Sequence, residues 1–245
     1  MKSNYNQILI NKLLTNPYSK SNISLLQMLK IFDSNPCLIT FINLHSFQVI
    51  EKECDIIEHF DYFFIDGILL KWLLEKSNKV KLRRISFDMT SLAKQFFDFA
   101  INERKTVYII GGKTNDIIIA IKNILYEYKH LDIVGFHSGY FKNKAEENNT
   151  ILEIISKSPN IVIAGMGSPL QEHFLISLRK KGWGGLGFTC GAFIKQTAKN
   201  LYYYPRAFNK YHLRWLYRII DEPKLLPRYF LEYPKELYKL TYYKK

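Results

Sequence analysis

Residues 160–174 read NIVIAGMGSPLQEHF. The apolar run NIVIA (160–164) is of buried-strand type, and it ends in Gly165-Met166-Gly167-Ser168-Pro169, after which a helix begins. A short buried strand that runs into a glycine turn and then a helix is the repeating unit of a parallel sheet. The unit recurs on both sides of this stretch. TVYII (106–110) ends at Gly111-Gly112-Lys113, and residues 116–128 then repeat apolar positions at helical spacing. FFI (63–65) ends at Asp66-Gly67, with helical spacing over Ile68–Glu75. CLITF (37–41), Ile133–Gly135 and a run beginning within Gly184–Phe188 add further strands. Before them the chain reads as helix and loop, with Leu9, Leu13 and Leu14 and then Leu25, Met28, Leu29 and Ile31 on helical spacing.

This alternation predicts an α/β fold: a Rossmann-like parallel sheet with helices on both faces. Ligands of such sheets sit beyond the carboxyl ends of the strands. The order of strands and turns therefore puts Asp66, Gly111, Gly112 and Gly165–Ser168 on one rim.

The chain has 245 residues, with 47% apolar and 23% charged types, which excludes a disordered tail protein and a collagen-like fibre. Its 35 Lys and Arg against 22 Asp and Glu give a net charge of +13, so an anionic partner is expected: nucleic acid, a phosphorylated substrate or an acidic lipid surface. Cys37, Cys54 and Cys190 are too few and too scattered for a disulfide framework or a zinc site, and a reduced cytoplasmic setting is the default. No signal peptide is read in MKSNYNQILINKLL, and no stretch has the 18 or so apolar residues that span a bilayer. Nor do the nine Asp and six His form a metal-ligand pattern, so no metal or cofactor is expected.

Composition changes near residue 199. Residues 199–245 hold eleven Lys or Arg against four acids, and ten of the seventeen Tyr. Short helices broken by Pro223, Pro227 and Pro234 are expected there. The division predicted is a catalytic domain over 1–198 and a C-terminal appendage over 199–245. Tyr and Trp suit a lipid headgroup boundary and Lys and Arg suit anionic phosphates, while RNA binding by basic and stacking residues and a plain pair of surface helices are the other readings.

Several residues on the rim can carry chemistry. Asp66, at a strand end beside Gly67, is placed either as a general base or as the cap of the next helix. Gly165-x-Gly167-x-x-Leu170 is an incomplete dinucleotide fingerprint whose backbone N–H groups can hold phosphate. Gln171 and Glu172 can bind a base edge or ribose hydroxyls, or Glu172 simply favours the positive helix end. Lys113 is a phosphate ligand or part of a solvated turn, since Gly111-Gly112-Lys113 lacks the Walker spacing. Arg84 either clamps phosphate or pairs with Asp88 to fix a loop. Cys190 reads as a small buried hydrophobe, and His45 and His137 lie within reach of the rim.

Taken in order, these segments resemble the WecG/TagA/CpsF family of bacterial glycosyltransferases. The landmarks are Asn43 in TFINLHSF, Asp66-Gly67, Arg84 with Asp88, GGK (111–113), IVGFHSGYF (133–141), GMGSPLQE (165–172), TCGAF (189–193) and LRWLYRIIDEP (213–223), and they run from about Thr40 to Arg228. The resemblance implies inverting transfer of a sugar, an N-acetylhexosamine such as ManNAc or a hexose, from a UDP-sugar to a saccharide on undecaprenyl diphosphate, without a required metal. The pathway implied is synthesis of a surface polysaccharide such as capsule. The implied location is peripheral, on the inner face of the cytoplasmic membrane, with an anionic membrane surface as partner, no nucleic acid, and room for a homo-oligomer.

Carried over by position, Asp66 matches the general base, and Asn43 and Arg84 match active-site positions. Gln171, Arg218 and Arg228 match substrate-binding positions, the two arginines at the leaving diphosphate. Thr40, Gly111, Gly112, Lys113, Tyr140, Gly165, Gly167, Ser168, Glu172, Gly191 and Lys224 complete the expected substrate contacts. The chain departs from the family pattern at Phe41, at Ile194, at Leu225 where an Arg is usual, and at Arg214, where LEW becomes Leu213-Arg214-Trp215. The rival readings are an NAD-dependent nucleotide-sugar oxidoreductase, against which Leu170 breaks the fingerprint, and a non-enzymatic lipid- or RNA-binding module.

Overall fold

The structure, a computed structural model, describes residues 2–20 and 22–242. Six strands form one parallel sheet: β1 (Leu38–Ile42), β2 (Tyr62–Ile65), β3 (Thr106–Gly111), β4 (Asp132–His137), β5 (Ile161–Gly165) and β6 (Leu186–Thr189), in the spatial order β2-β1-β6-β5-β3-β4. The helices are α1 (Lys2–Thr15), α2 (Leu25–Ser34), α3 (Leu44–Ile50), α4 (Cys54–His59), α5 (Ile68–Asn78), α6 (Leu92–Asn102), α7 (Thr114–Glu127), α8 (Lys144–Lys157) and α9 (Leu170–Lys180). Beyond β6 come α10 (Phe193–Lys199), α11 (Arg206–Lys210), α12 (Arg214–Asp221), a π-helical turn at Arg228–Glu232 and α13 (Tyr233–Tyr242).

Both faces of the strands, except those of the edge strand β4, are buried, and side chains alternate between two cores. Ile39, Phe41, Val107, Ile109, Ile161 and Ile163 pack with α2, α6, α7 and α10. Their neighbours Leu38, Ile42, Tyr108, Ile110, Val162 and Ala164 pack on the other face with α1, α3, α4, α5, α8 and α9. The Rossmann-like architecture expected from the alternating strands and glycine turns is the one observed, and each expected strand is present.

The connections locate the ligand crevice. After β3 the chain enters α7 on one face, and after β5 it enters α9 on the other. Adjacent strands whose helices depart to opposite faces leave an opening beyond their carboxyl ends. Here that opening lies between the turns 111–113 and 165–169. Gly111, at φ 142°, faces Gly165 so closely that a Cβ would collide with the Gly165 carbonyl. Only glycine allows the two turns to approach this far.

The C-terminal segment differs from its expected form. Pro223 and Pro227 interrupt helices, but Pro234 sits in the first turn of α13, where a missing N–H costs little. Many of its tyrosines are structural: Tyr203, Tyr204, Tyr217 and Phe208 pack ring against ring, as do Trp215, Tyr229 and Tyr233. Tyr233 and Leu240 join the second core, and α13 packs on α3 and α5. Lys244 and Lys245, counted in the basic block, lie outside the described residues.

Candidate active site

The carboxyl ends of the strands and the C-terminal segment enclose a cavity of about 700 Å³. Each wall begins one residue past a strand. Asn43 follows β1 and caps α3, its Oδ1 accepting from the His45 and Ser46 N–H groups at 3.0 and 3.1 Å. That leaves its amide nitrogen for the cavity. Asp66 follows β2, and Gly67 behind it packs closely on Asn43: a Cβ there would lie 3.1 Å from that of Asn43. The base candidate and Asn43 are thus held side by side.

Asp66 does not cap the helix that follows. The residue before α5 is Gly67, which makes no side-chain cap, and the Asp66 carboxylate accepts no hydrogen bond among the described residues. Burial pushes its pKa up, opposed by the nearby Arg84, Arg214 and Arg218 and reinforced by Asp88. A carboxylate displaced toward neutrality and left open to a cavity can accept a proton.

Arg84 is held against Asp66 by a bridge between the 84–85 backbone and Ile65. Arg218 and Arg228 enter the cavity from the C-terminal segment. None of the three has an ion-pair partner among the described residues, and Arg218 Nε is buried with no hydrogen bond. Unpaired guanidinium groups facing one space can bind a phosphate in bidentate fashion. Lys113, Gly112, Gly165, Gly167, Ser168, Gln171 and Gly191 line the side of the cavity at the glycine turns, and Tyr140 lines it while remaining exposed. Lys224 lines the cavity 3.9 Å from Glu222, which Lys195 holds at 2.6 Å.

Three expected contacts need correction. Thr40 and Glu172 are fully buried and do not line the cavity, and Gly111 lies beneath its floor in the sheet. Glu172 Oε1 instead accepts hydrogen bonds from Thr40 Oγ1 at 2.9 Å, Ser168 Oγ at 2.9 Å and Gln171 Nε2 at 3.0 Å. Thr189 Oγ1 donates to Thr40 at 3.0 Å, which ties β6 into the same group. Burial pushes the Glu172 pKa up despite those donors. With Nε2 engaged, Gln171 presents Oε1 to the Gly167 and Gly191 N–H groups at 3.3 and 3.1 Å. Gln171 therefore braces two glycine turns.

The expected alternative pairing of Arg84 with Asp88 is also corrected. Asp88 Oδ2 accepts from Arg214 Nη1 at 2.8 Å and from Ser86 Oγ at 2.6 Å, and Oδ1 from the Thr90 N–H at 2.8 Å. Arg214 also donates to Thr90 Oγ1 and Asn209 Oδ1 and stacks over Tyr204. This bridge closes the C-terminal segment over the sheet. Sequence reasoning saw Arg214 only as a departure from pattern; its signal was the change from an acid to a cation, with Asp88 as the unassigned complement. His45 does reach the cavity, and burial and then Arg228 hold its pKa below the usual value. His137 does not line it and stacks on Phe141. Cys190 is buried in the wall, and burial pushes its thiol pKa up.

A parallel α/β sheet with an open carboxylate and a group of arginines at one crevice is an arrangement suited to group transfer from a phosphorylated donor. The particular class follows from comparison with known proteins. Residues 14–245 match the model of the glycosyl transferase WecG/TagA/CpsF family. A relative from Shigella boydii, named UDP-Gal:alpha-D-GlcNAc-diphosphoundecaprenol beta-1,4-galactosyltransferase, is 39% identical over 198 residues, covering 81% of this chain and 83% of the relative. The chain belongs to the WecG/TagA/CpsF family and is a glycosyltransferase.

Proposed function

We propose that this enzyme transfers a hexose, galactose being the first candidate, from a UDP-sugar to a saccharide carried on undecaprenyl diphosphate. The observation that carries this reading is that one carboxylate, Asp66, and three guanidinium groups, Arg84, Arg218 and Arg228, line a single cavity with no ion-pair partner among the described residues. The Shigella boydii relative, by its name, uses UDP-Gal and a GlcNAc-diphosphoundecaprenol, which selects the donor and acceptor to test first.

The reaction is a single displacement. Asp66 takes the proton of an acceptor hydroxyl as its oxygen attacks the anomeric carbon. The bond from that carbon to the β-phosphate oxygen breaks, and its electron pair leaves with UDP. Attack opposite the leaving group inverts the anomeric configuration. Arg84, Arg218 and Arg228 stabilise the charge that grows on the diphosphate. Gly112, Gly165, Gly167 and Gly191 keep the nucleotide wall free of side chains, and Asn43 orients the acceptor beside Asp66.

In this reading residues 1–198 form the catalytic core. The appendage, 199–245, completes the cavity and turns it toward an anionic membrane surface, from which the lipid-linked acceptor arrives. No helix among the described residues is long and apolar enough to cross a membrane, so contact through the protein surface suits a peripheral location at the inner face of the cytoplasmic membrane. The test is UDP release from a panel of UDP-sugars with a short-chain prenyl-diphosphate-GlcNAc acceptor, followed by stereochemical analysis of the product. Release with one UDP-sugar and formation of the opposite anomer is expected. Release that does not depend on the acceptor, or retention of configuration, overturns the reading.

A further inference from the structure

Outside the cavity, the solvent face of α5 has no part in the transfer chemistry. Leu69, Trp72 and Lys76 recur at three- and four-residue intervals and so lie on one stripe of the helix, with Lys79 at its C-cap. The stripe is graded. Leu69, in the first turn, lines the cavity; Trp72 follows with 56% of its surface exposed; the cations lie farther from the mouth. Lys76 sits 5.0 Å from the Trp72 ring centre. Lys71, Lys76 and Lys81 border a groove beside Trp72, floored by Val80 and Leu82. Lys71 is neutralised by Glu75 at 2.7 Å, but Lys76, Lys79 and Lys81 have no ion-pair partner among the described residues.

The appendage carries a matching patch. Phe230 and Leu231 are 63% and 60% exposed, and Leu226 is exposed nearby in sequence, while Tyr229 and Tyr233 of the same stretch line the cavity. α13, which follows this stretch, packs on α5, and both stretches contribute residues to the cavity lining.

We infer that the α5 stripe is a second membrane contact, docking the cavity mouth onto an anionic phospholipid surface together with the appendage. The order along the stripe matches the order of depth in an interface: aliphatic side chain toward the acyl boundary, indole at the headgroups, ammonium groups at the phosphates. The unpaired lysines supply the charge complement. The inference rests on the transfer reading, since it is the lipid-linked acceptor that must reach the cavity from the bilayer. With both stretches in contact the diphosphate enters without the lipid leaving the membrane.

The test compares wild type, Trp72→Ser and Lys76→Gln in flotation with vesicles of phosphatidylcholine alone or with phosphatidylglycerol. Both residues are exposed and outside the cavity lining, so both variants should fold and release UDP from a water-soluble short-chain acceptor at the wild-type rate. Trp72→Ser is expected to weaken binding to both vesicle types by about fivefold, and Lys76→Gln by about fivefold on the anionic vesicles only. Binding unchanged in both variants overturns the inference. So does a wild-type dimer in sedimentation velocity that Trp72→Ser converts to monomer, because the stripe would then cover a second copy. Failure of the transfer reading is separate: it shows as no UDP release by the wild type, whatever the vesicles do.

Discussion

Two acid–base arrangements stand side by side in this cavity, and the chain treats them oppositely. In the 86–90 turn, Asp88 is saturated by Arg214, Ser86 and Thr90. In the 66–67 turn, Asp66 accepts no hydrogen bond among the described residues. The arginines repeat the contrast on one helix. Arg214 is closed onto Asp88, and Arg218, one turn later on the same face of α12, has its Nε buried with no partner among the described residues. The closed pair binds the C-terminal segment to the sheet. The open groups, both lining the cavity, are costly to the fold and available to chemistry. A charge with its partners in place holds structure, and one without them is where reaction is to be sought.

The strongest challenge to this contrast is Asp66→Asn. It should lower kcat by about 10²-fold or more, with little change in donor KM. The same change should leave the melting temperature at neutral pH unchanged or higher. The folded pKa of Asp66 lies above its unfolded value, so ionising it on passing upward through the folded pKa removes stability, and Asn avoids that loss. By the same displacement, kcat/KM of the wild type should rise with pH through the raised pKa, because the base must be ionised. A pH–rate profile flat on its acid side would remove Asp66 from the role.

Arg218→Gln comes next. Loss of one preorganised charge at the leaving group should cost about 10²-fold in kcat without loss of melting temperature. A protein that instead unfolds would make Arg218 a structural cation like Arg214.

Asp88→Ala should behave as the mirror image. Leaving Arg214 buried and uncompensated should destabilise by about 3–5 kcal/mol in thermal or urea unfolding. Activity should disappear only as the fold does. A double-mutant cycle with Arg214→Ala should return a coupling energy of about 1 kcal/mol or more. Additive effects would mean that the bridge does not close the segment.

The smallest effect is expected at Glu172. Because its pKa is raised, Gln is a near match for the protonated form, and Glu172→Gln should shift unfolding by less than about 1.5 kcal/mol. Glu172→Ala strips the partner from Thr40, Ser168 and Gln171 and should cost about 1–3 kcal/mol. Equal melting temperatures for the two variants would end the bracing role.

The legible parts of the site were those where local sequence fixes position. Asp66, Asn43, Gly112 and the 165–168 turn each follow a strand that its own apolar run announces, and all strands of a parallel sheet end on one side. Glu172 was misjudged for the same local reason. The first turn of α9 faces the crevice at Gln171, and one step along the helix turns Glu172 about 100° into the sheet, toward Thr40. The tyrosines of the tail misled in another way: composition counts rings, but only packing distinguishes Tyr203 and Tyr233, buried in clusters, from Tyr211 and Tyr238, exposed to solvent.

By itself the sequence determined the layer architecture, the side of the sheet on which the cavity opens, and the turns that build the crevice. These follow from periodicity and from residues whose backbone preferences are local. Which charges are paired was decided only in three dimensions. Asp88 meets Arg214 across 126 positions of chain, and Thr40 meets Glu172 across 132. A charge is neutralised by whatever the fold brings within a few ångströms, and that distance is a property of the packed chain, written in no single stretch of it.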